Sequence, residues 1–217
     1  MSGLFITFEG TEGSGKSTQV LLLAQRLQAI GYSVRQLREP GGTPIGEEIR
    51  QTLKHSQQNH EMTAVAELLL MNASRAQLVR EVIRPALANQ EIILCDRFHD
   101  STVAYQGYGR GLDLEIVQTV IDLAIGETIP QLTFLLVIST AESEARRRGR
   151  APEIAGQRDR FEEADRSFFE RVEKGYRSIA TAARDRVKLI EGTQSIAAVS
   201  AEIWRQVEPV LTVKANP

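Results

Sequence analysis

The chain has 217 residues and a formal net charge of -2, from 26 lysines and arginines against 28 aspartates and glutamates. Hydrophobic residues make up 42% and charged residues 25% of the sequence, proportions that exclude a disordered or fibrous protein. We expect a single domain over residues 1–217, and the balanced charge excludes a broad basic surface for nucleic acid or for an anionic membrane.

Short apolar runs alternate with long amphipathic stretches along the chain. In chain order, the predicted strands cover residues 4–8, 33–37, 92–95, 132–139 and 187–190. The predicted helices cover residues 16–30, 64–87 with a potential break at Pro85, 114–126 and 166–183. The alternation predicts an α/β fold in which a five-stranded parallel sheet is flanked by helices.

The segment 146–160 departs from this pattern, because it is dense in arginine, contains Gly149, Pro152 and Gly156, and lacks apolar periodicity. We interpret it as a mobile segment outside the regular strands and helices. Elsewhere, no apolar run approaches the ~18 residues that span a bilayer, so no membrane segment is expected. The single Cys95 cannot form an internal disulfide, which favours a reducing, cytoplasmic location.

The stretch FEGTEGSGKST, residues 8–18, joins the first predicted strand to the first predicted helix. It fits the pattern G-x-x-x-x-G-K-[ST], whose glycines turn backbone N–H groups inward while the helix start adds its positive dipole end. Lys16 supplies a mobile cation to the β- and γ-phosphates, and the Ser17 hydroxyl can ligate Mg²⁺. The motif therefore predicts a site for Mg·ATP. Its residues are Gly10, Thr11, Glu12, Gly13, Ser14, Gly15, Lys16, Ser17 and Thr18.

A second motif supports this prediction, because the apolar run Ile92-Ile93-Leu94-Cys95 ends in Asp96, where a Walker B carboxylate would help to hold the metal. A regulatory GTPase would need the patterns Asn-Lys-x-Asp and Asp-x-x-Gly, and neither occurs in the sequence. A helicase or recombinase would carry a basic surface. The class that is left is a small kinase.

Five stretches of the sequence occur together: FEGTEGSGKST, REPGGT at residues 38–43, ASRAQ at 73–77, CDRFHDSTVAYQG at 95–107 and DRFE at 159–162. In these stretches the chain resembles the bacterial thymidylate kinases, from about residue 4 to residue 176. The resemblance implies a P-loop NTPase fold with an arginine-rich lid at about 146–160, and a homodimer. The implied reaction transfers the γ-phosphoryl group of ATP to dTMP, giving dTDP and ADP, a step in dTTP synthesis.

The resemblance also implies roles for individual residues. Arg97 would hold the acceptor phosphate, Arg75 would reach the thymine edge together with Ser101 or Thr102, and Tyr105 with Gln106 would pack around the deoxyribose. The acceptor site would consist of Glu12, Arg38, Pro40, Met71, Arg75, Arg97, Ser101, Thr102, Tyr105 and Gln106.

The catalytic group that the resemblance implies combines the loop, the acceptor site and the lid. Glu12 would face the acceptor's sugar or a cation, which leaves charge compensation to lid arginines. The members of this implied catalytic group would be Lys16, Arg97, Glu12 and the lid residues Arg148, Arg150 and Arg160, without a choice among the last three.

The sequence departs from the family at Met71 and Asn72, where most relatives carry an aromatic residue that stacks on thymine. This departure leaves two alternatives open. The protein could be another P-loop kinase, for a different nucleotide or for a deoxynucleoside, or an ATP-dependent binding module.

Overall fold

The computed structural model of the chain describes residues 3–56, 58–148 and 164–215, with side chains throughout except at 147–148 and 212–215. Its strands are β1 (Leu4–Glu9), β2 (Val34–Arg38), β3 (Ile92–Asp96), β4 (Leu132–Val137) and β5 (Val187–Glu191). They form one parallel sheet in the order β2-β3-β1-β4-β5. The predicted five-stranded parallel sheet is confirmed.

The helices cover both faces of this sheet. They are α1 (Lys16–Ala29), α2 (Pro44–His55), α3 (Ala64–Leu78), α4 (Arg84–Ala88), α5 (His99–Thr102), α6 (Leu114–Ile125), α7 (Thr140–Arg148), α8 (Arg166–Ala182) and α9 (Ile196–Ala215). A 3₁₀ turn covers Asn59–Glu61, and π-helical segments cover Val79–Ile83 and Val103–Gly109. Within the described residues, no helix is long and apolar enough to cross a membrane.

The central strand β1 sets the two layers of the core, because alternate residues of a strand point to opposite faces of the sheet. Leu4, Ile6 and Phe8 pack in one buried cluster, which includes residues of α1 and α9. Phe5 packs in a second cluster with residues of α3 and α6. Glu9 therefore ends the strand on the same face as Phe5.

The long helix predicted for 64–87 is interrupted earlier than Pro85. A π-helical segment at Val79–Ile83 separates α3 from α4, whose second residue is Pro85. Proline has no N–H to donate to the carbonyl four residues earlier, so the backbone widens one turn before it. The break is thus a bulge within a continuing helix.

Candidate active site

The site is a cleft of about 400 Å³ at the carboxyl ends of β1 and β3. All ten residues predicted for the acceptor site line it: Glu12, Arg38, Pro40, Met71, Arg75, Arg97, Ser101, Thr102, Tyr105 and Gln106. Five residues of the phosphate loop line it as well, besides Glu12: Gly13, Gly15, Lys16, Ser17 and Thr18. The fold therefore brings the two predicted groups of residues into one space.

The phosphate loop has the backbone that its glycines predict. Gly10, Gly13 and Gly15 have φ of +133°, +76° and +98°, in a region where residues with a Cβ are strained. Lys16 Nζ lies inside the turn and donates to the carbonyl oxygens of Gly10 at 3.1 Å and Thr11 at 2.8 Å. Burial, with repulsion from Arg97, lowers the pKa of Lys16 to about 8, so the side chain is still mostly charged at pH 7.

The two predicted metal ligands lie side by side. Ser17 Oγ, at the start of α1, donates to Asp96 Oδ2 at 2.5 Å. The pairing of β1 with β3, which sets Phe8 beside Asp96, brings the strand end next to the loop. A hydroxyl and a carboxylate oxygen are the ligand types that Mg²⁺ takes, together with water and substrate phosphates, so this pair fits the ion.

Arg97 follows β3 in a left-handed conformation, with φ of +71°, and its backbone N–H donates to the carbonyl of Phe8 at 2.9 Å. Its guanidinium is held by hydroxyl groups alone. NH1 donates to Ser101 Oγ at 3.1 Å and to Tyr176 OH at 3.2 Å, and NH2 donates to Tyr105 OH at 3.2 Å. Among the described residues Arg97 makes no ion pair, although the carboxylates of Asp96 and Glu12 lie near enough to attract it.

Glu9, which the sequence analysis did not single out, lies behind Arg97 and is only 1% exposed. One carboxylate oxygen accepts the Phe98 N–H at 2.7 Å, and the other accepts the hydroxyls of Ser101 at 2.6 Å and Tyr176 at 3.0 Å. Burial, reinforced by the charge of Asp100, raises the pKa of Glu9 to about 7. A buried acid with such a pKa is typical of functional sites.

Arg75 is 2% exposed, and all five of its N–H donors have partners. Its guanidinium lies 2.7 Å from the carboxylate of Glu39 and also bonds Asn72, Thr102 and the carbonyl of Phe98. From the resemblance, this guanidinium is expected to reach the thymine edge. Because no N–H is spare, such a contact requires one of these hydrogen bonds to be exchanged.

Helix α2 brings two further cations to the cleft that were not predicted from the sequence. Arg50 and Lys54 line it, and Arg50 also donates to the carbonyl of Pro40 at 2.9 Å. Thr43 is the N-cap of this helix, since its side chain accepts the Gly46 N–H, and Pro44 is the first helical residue. Thr43 and Pro44 are the sequence signals from which the start of α2 could have been predicted.

The predicted irregular segment was expected to begin at Arg146, and this part of the prediction is wrong. Helix α7 continues to Arg148, and Arg146 donates to the carbonyls of Gly13 and Gly192, each at 3.1 Å, and to Glu142. Arg146 therefore links α7 to the phosphate loop through the carbonyl of Gly13. Of the predicted lid arginines, Arg150, Arg160 and the side chain of Arg148 lie outside the described residues.

Comparison with known proteins adds a family assignment to this geometry. The family model for thymidylate kinase matches residues 8–203. The chain is 46% identical to the thymidylate kinase of Roseiflexus sp. (strain RS-1), covering 96% of this chain and 95% of that protein. It is 44% identical to the thymidylate kinase of Deinococcus radiodurans, covering 94% and 96%. The crystal structure of thymidylate kinase from Ehrlichia chaffeensis matches with a TM-score of 0.75 at 32% identity, covering 95% of this chain and 99% of that chain.

Proposed function

The chain belongs to the thymidylate kinase family, and we propose that its cleft transfers the γ-phosphoryl group of ATP to dTMP, which yields dTDP and ADP. One observation supports this most directly: the phosphate loop with Lys16 and the guanidinium of Arg97 face one cleft. Phosphoryl transfer needs two polyanions aligned and their charge offset, with no covalent intermediate. Cations and positioning groups are what this cleft provides.

The donor side is the phosphate loop. Its inward N–H groups and the start of α1 bind the β- and γ-phosphates, and Lys16 shifts from the loop carbonyls to phosphate oxygens. Ser17 and Asp96 would hold Mg²⁺, which neutralises phosphate charge when it is bound. Glu12 accepts no hydrogen bond from any described residue through its carboxylate, so it is available to the acceptor's sugar or to a cation.

The acceptor side begins at Arg97, whose charge meets the phosphate of dTMP. The Tyr105 hydroxyl bonds Arg97, so its ring is held beside the acceptor, where it would crowd a ribose 2′-hydroxyl. Met71 offers a polarisable surface to the base, and Thr102, Ser101 and Gln106 complete the pocket with Arg38 and Pro40. We assign charge compensation at the transferring group to Arg148, Arg150 and Arg160.

The experiment is a coupled assay of ADP release with dTMP, dUMP, dCMP, dGMP and thymidine as acceptors. We expect dTMP to give the highest kcat/KM. A higher value with another monophosphate, or with thymidine, would assign the protein to a different kinase specificity. No acceleration by any acceptor would leave an ATP-dependent binding module as the function.

We also propose that the protein forms a homodimer in the cytoplasm. Helices α3 and α6 pack against each other and leave large apolar side chains exposed, among them Leu69 on α3 and Ile116 on α6. Leu123 on α6 is 88% exposed, which is costly for an isolated chain. Sedimentation velocity on wild type and Leu123→Glu tests this proposal, since a dimer through this face should dissociate in the variant.

A further inference from the structure

We propose that Glu9 is the positioning residue that aims Arg97 at the acceptor phosphate, an inference that rests on the proposed function. Glu9 does not line the cleft, and it touches Arg97 only through two hydroxyl groups. Those hydroxyls belong to Ser101, on α5, and to Tyr176, on α8. Three separate elements therefore converge on one guanidinium.

Above pH 7 the Glu9 carboxylate is ionised and can only accept, so it draws the hydroxyl hydrogens of Ser101 and Tyr176 toward itself. The two hydroxyl oxygens also lie 2.9 Å apart, where either can donate to the other, so they form one hydrogen-bonded group with Glu9. Their oxygen lone pairs are left facing Arg97 NH1, which donates to both at 3.1 and 3.2 Å. Glu9 therefore orients the pair of oxygens that NH1 contacts, and through them it positions NH1.

The remaining donors of Arg97 follow from this arrangement. NH2 uses one hydrogen on Tyr105, and no residue in the described ranges accepts from Nε or from the second hydrogen of NH2. Both donors are available to phosphate oxygens, and the planar guanidinium fixes their directions relative to NH1. Positioning NH1 therefore also orients the donors that are left for the acceptor.

The backbone reinforces the same arrangement. Glu9 also accepts the N–H of Phe98, the residue that follows the strained left-handed Arg97. A left-handed conformation at arginine persists only when its surroundings hold it. Glu9 thus constrains both the backbone at Arg97 and the end of its side chain.

The diagnostic substitution is Glu9→Gln, which keeps the shape of the side chain. Its amide NH₂ must donate, and the acceptors within reach are the lone pairs of Ser101 and Tyr176 that Arg97 now uses. Glutamine therefore competes with Arg97 NH1 for the same two oxygens. Thr7→Val is the matched control, because Thr7 lies on the same face of β1 and loses a buried hydrogen bond to Thr133 without touching Arg97.

The measurement is the ratio of the dissociation constants of thymidine and dTMP, by calorimetry at pH 8. This ratio isolates the contribution of the phosphate. We expect it to fall about tenfold in Glu9→Gln, the loss of about one charge-assisted hydrogen bond, and to stay unchanged in Thr7→Val. Tyr176→Phe, which removes one of the two hydroxyls, should lower it by less.

A double-mutant cycle then separates a shared mechanism from two independent ones. If Glu9 acts through Tyr176, the effects of Glu9→Gln and Tyr176→Phe on the ratio will not multiply in the double variant. Should Glu9→Gln fail to fold, an unchanged ratio in Tyr176→Phe would overturn the inference by itself.

Other results would also overturn it. Equal weakening of thymidine and dTMP would show a structural role only, and a higher ratio would show that Glu9 merely opposes the phosphate by charge. Wild type that binds no dTMP would refute the proposed function, and this inference with it. Wild type that binds dTMP, with an unchanged ratio in Glu9→Gln, would refute the inference alone.

Discussion

Glu9→Gln is expected to change the pH dependence of stability, because burial raises the pKa of Glu9 from 4.5 to about 7 in the folded protein. The charge of Asp100 on α5 adds to this rise, whereas the Ser101 hydrogen bond and the Arg97 charge oppose it. The unfolded chain releases the proton near pH 4.5, and the folded protein keeps it until about pH 7. Folding stability is therefore lost as the pH rises through this window.

The size of the loss follows from the same values. At ~1.36 kcal/mol for each pKa unit, a rise from 4.5 to about 7 corresponds to a loss of ~3 kcal/mol above pH 7. Glutamine cannot ionise, so the variant escapes this loss. From pH 5 to pH 8 we expect the free energy of unfolding of the variant to gain roughly 2–3 kcal/mol relative to wild type, or about 5–10 °C in Tm.

The assay is thermal and urea unfolding of both proteins at several pH values from 5 to 8. The informative quantity is how the difference in unfolding free energy between the variant and wild type changes with pH. The hydrogen bonds that glutamine loses shift this difference by a constant amount. Groups that titrate in both proteins largely cancel, including Lys16, whose pKa is lowered to about 8 by burial. If the unfolding free energies of the two proteins change in parallel from pH 5 to pH 8, the pKa of Glu9 is not raised in the folded protein.

Three further predictions concern the cleft and the helix beside it. Arg97→Lys keeps the charge but loses the rigid, multi-donor guanidinium, so kcat/KM for dTMP should fall roughly 100-fold, measured by ADP release. Asp96→Asn weakens the oxygen pair with Ser17, so the Mg²⁺ concentration for half-maximal activity should rise about tenfold, read from a Mg²⁺ titration. Thr43→Ala removes the cap of α2 and should lower the free energy of unfolding by ~1 kcal/mol in urea.

The fold was predictable where one physical requirement dominates. The runs that became β3 and β4 are nearly continuous in apolar residues, since helices cover both faces of the sheet, and their boundaries were predicted within two residues. The polar helix α7 was missed because it has almost no apolar periodicity, so its sequence looks like a loop. The helix α9 was missed as well, and Pro209 lies inside it.

The candidate site was predictable in its local motifs and not in its long-range partners. Gly10 to Ser17 carry their own geometry, so the phosphate loop could be placed from the sequence. Glu9 could not be singled out, because its partners Phe98, Ser101 and Tyr176 are 89, 92 and 167 residues away. Only the fold, which brings Ser101 of α5 and Tyr176 of α8 to the end of β1, makes Glu9 a part of the site.

Arg75 and Arg97 of the cleft differ in a way that assigns them to different parts of the acceptor. Arg75 is paired with Glu39 and has used all of its donors, so the pair presents little net charge. Arg97 is held by neutral hydroxyls, makes no ion pair among the described residues and keeps two donors, although Asp96 and Glu12 attract it from nearby. A dianionic phosphate gains from a cation that is not already ion-paired, whereas a neutral base loses nothing by facing a paired one. The partners of each arginine, rather than the arginine itself, therefore decide which end of dTMP it meets.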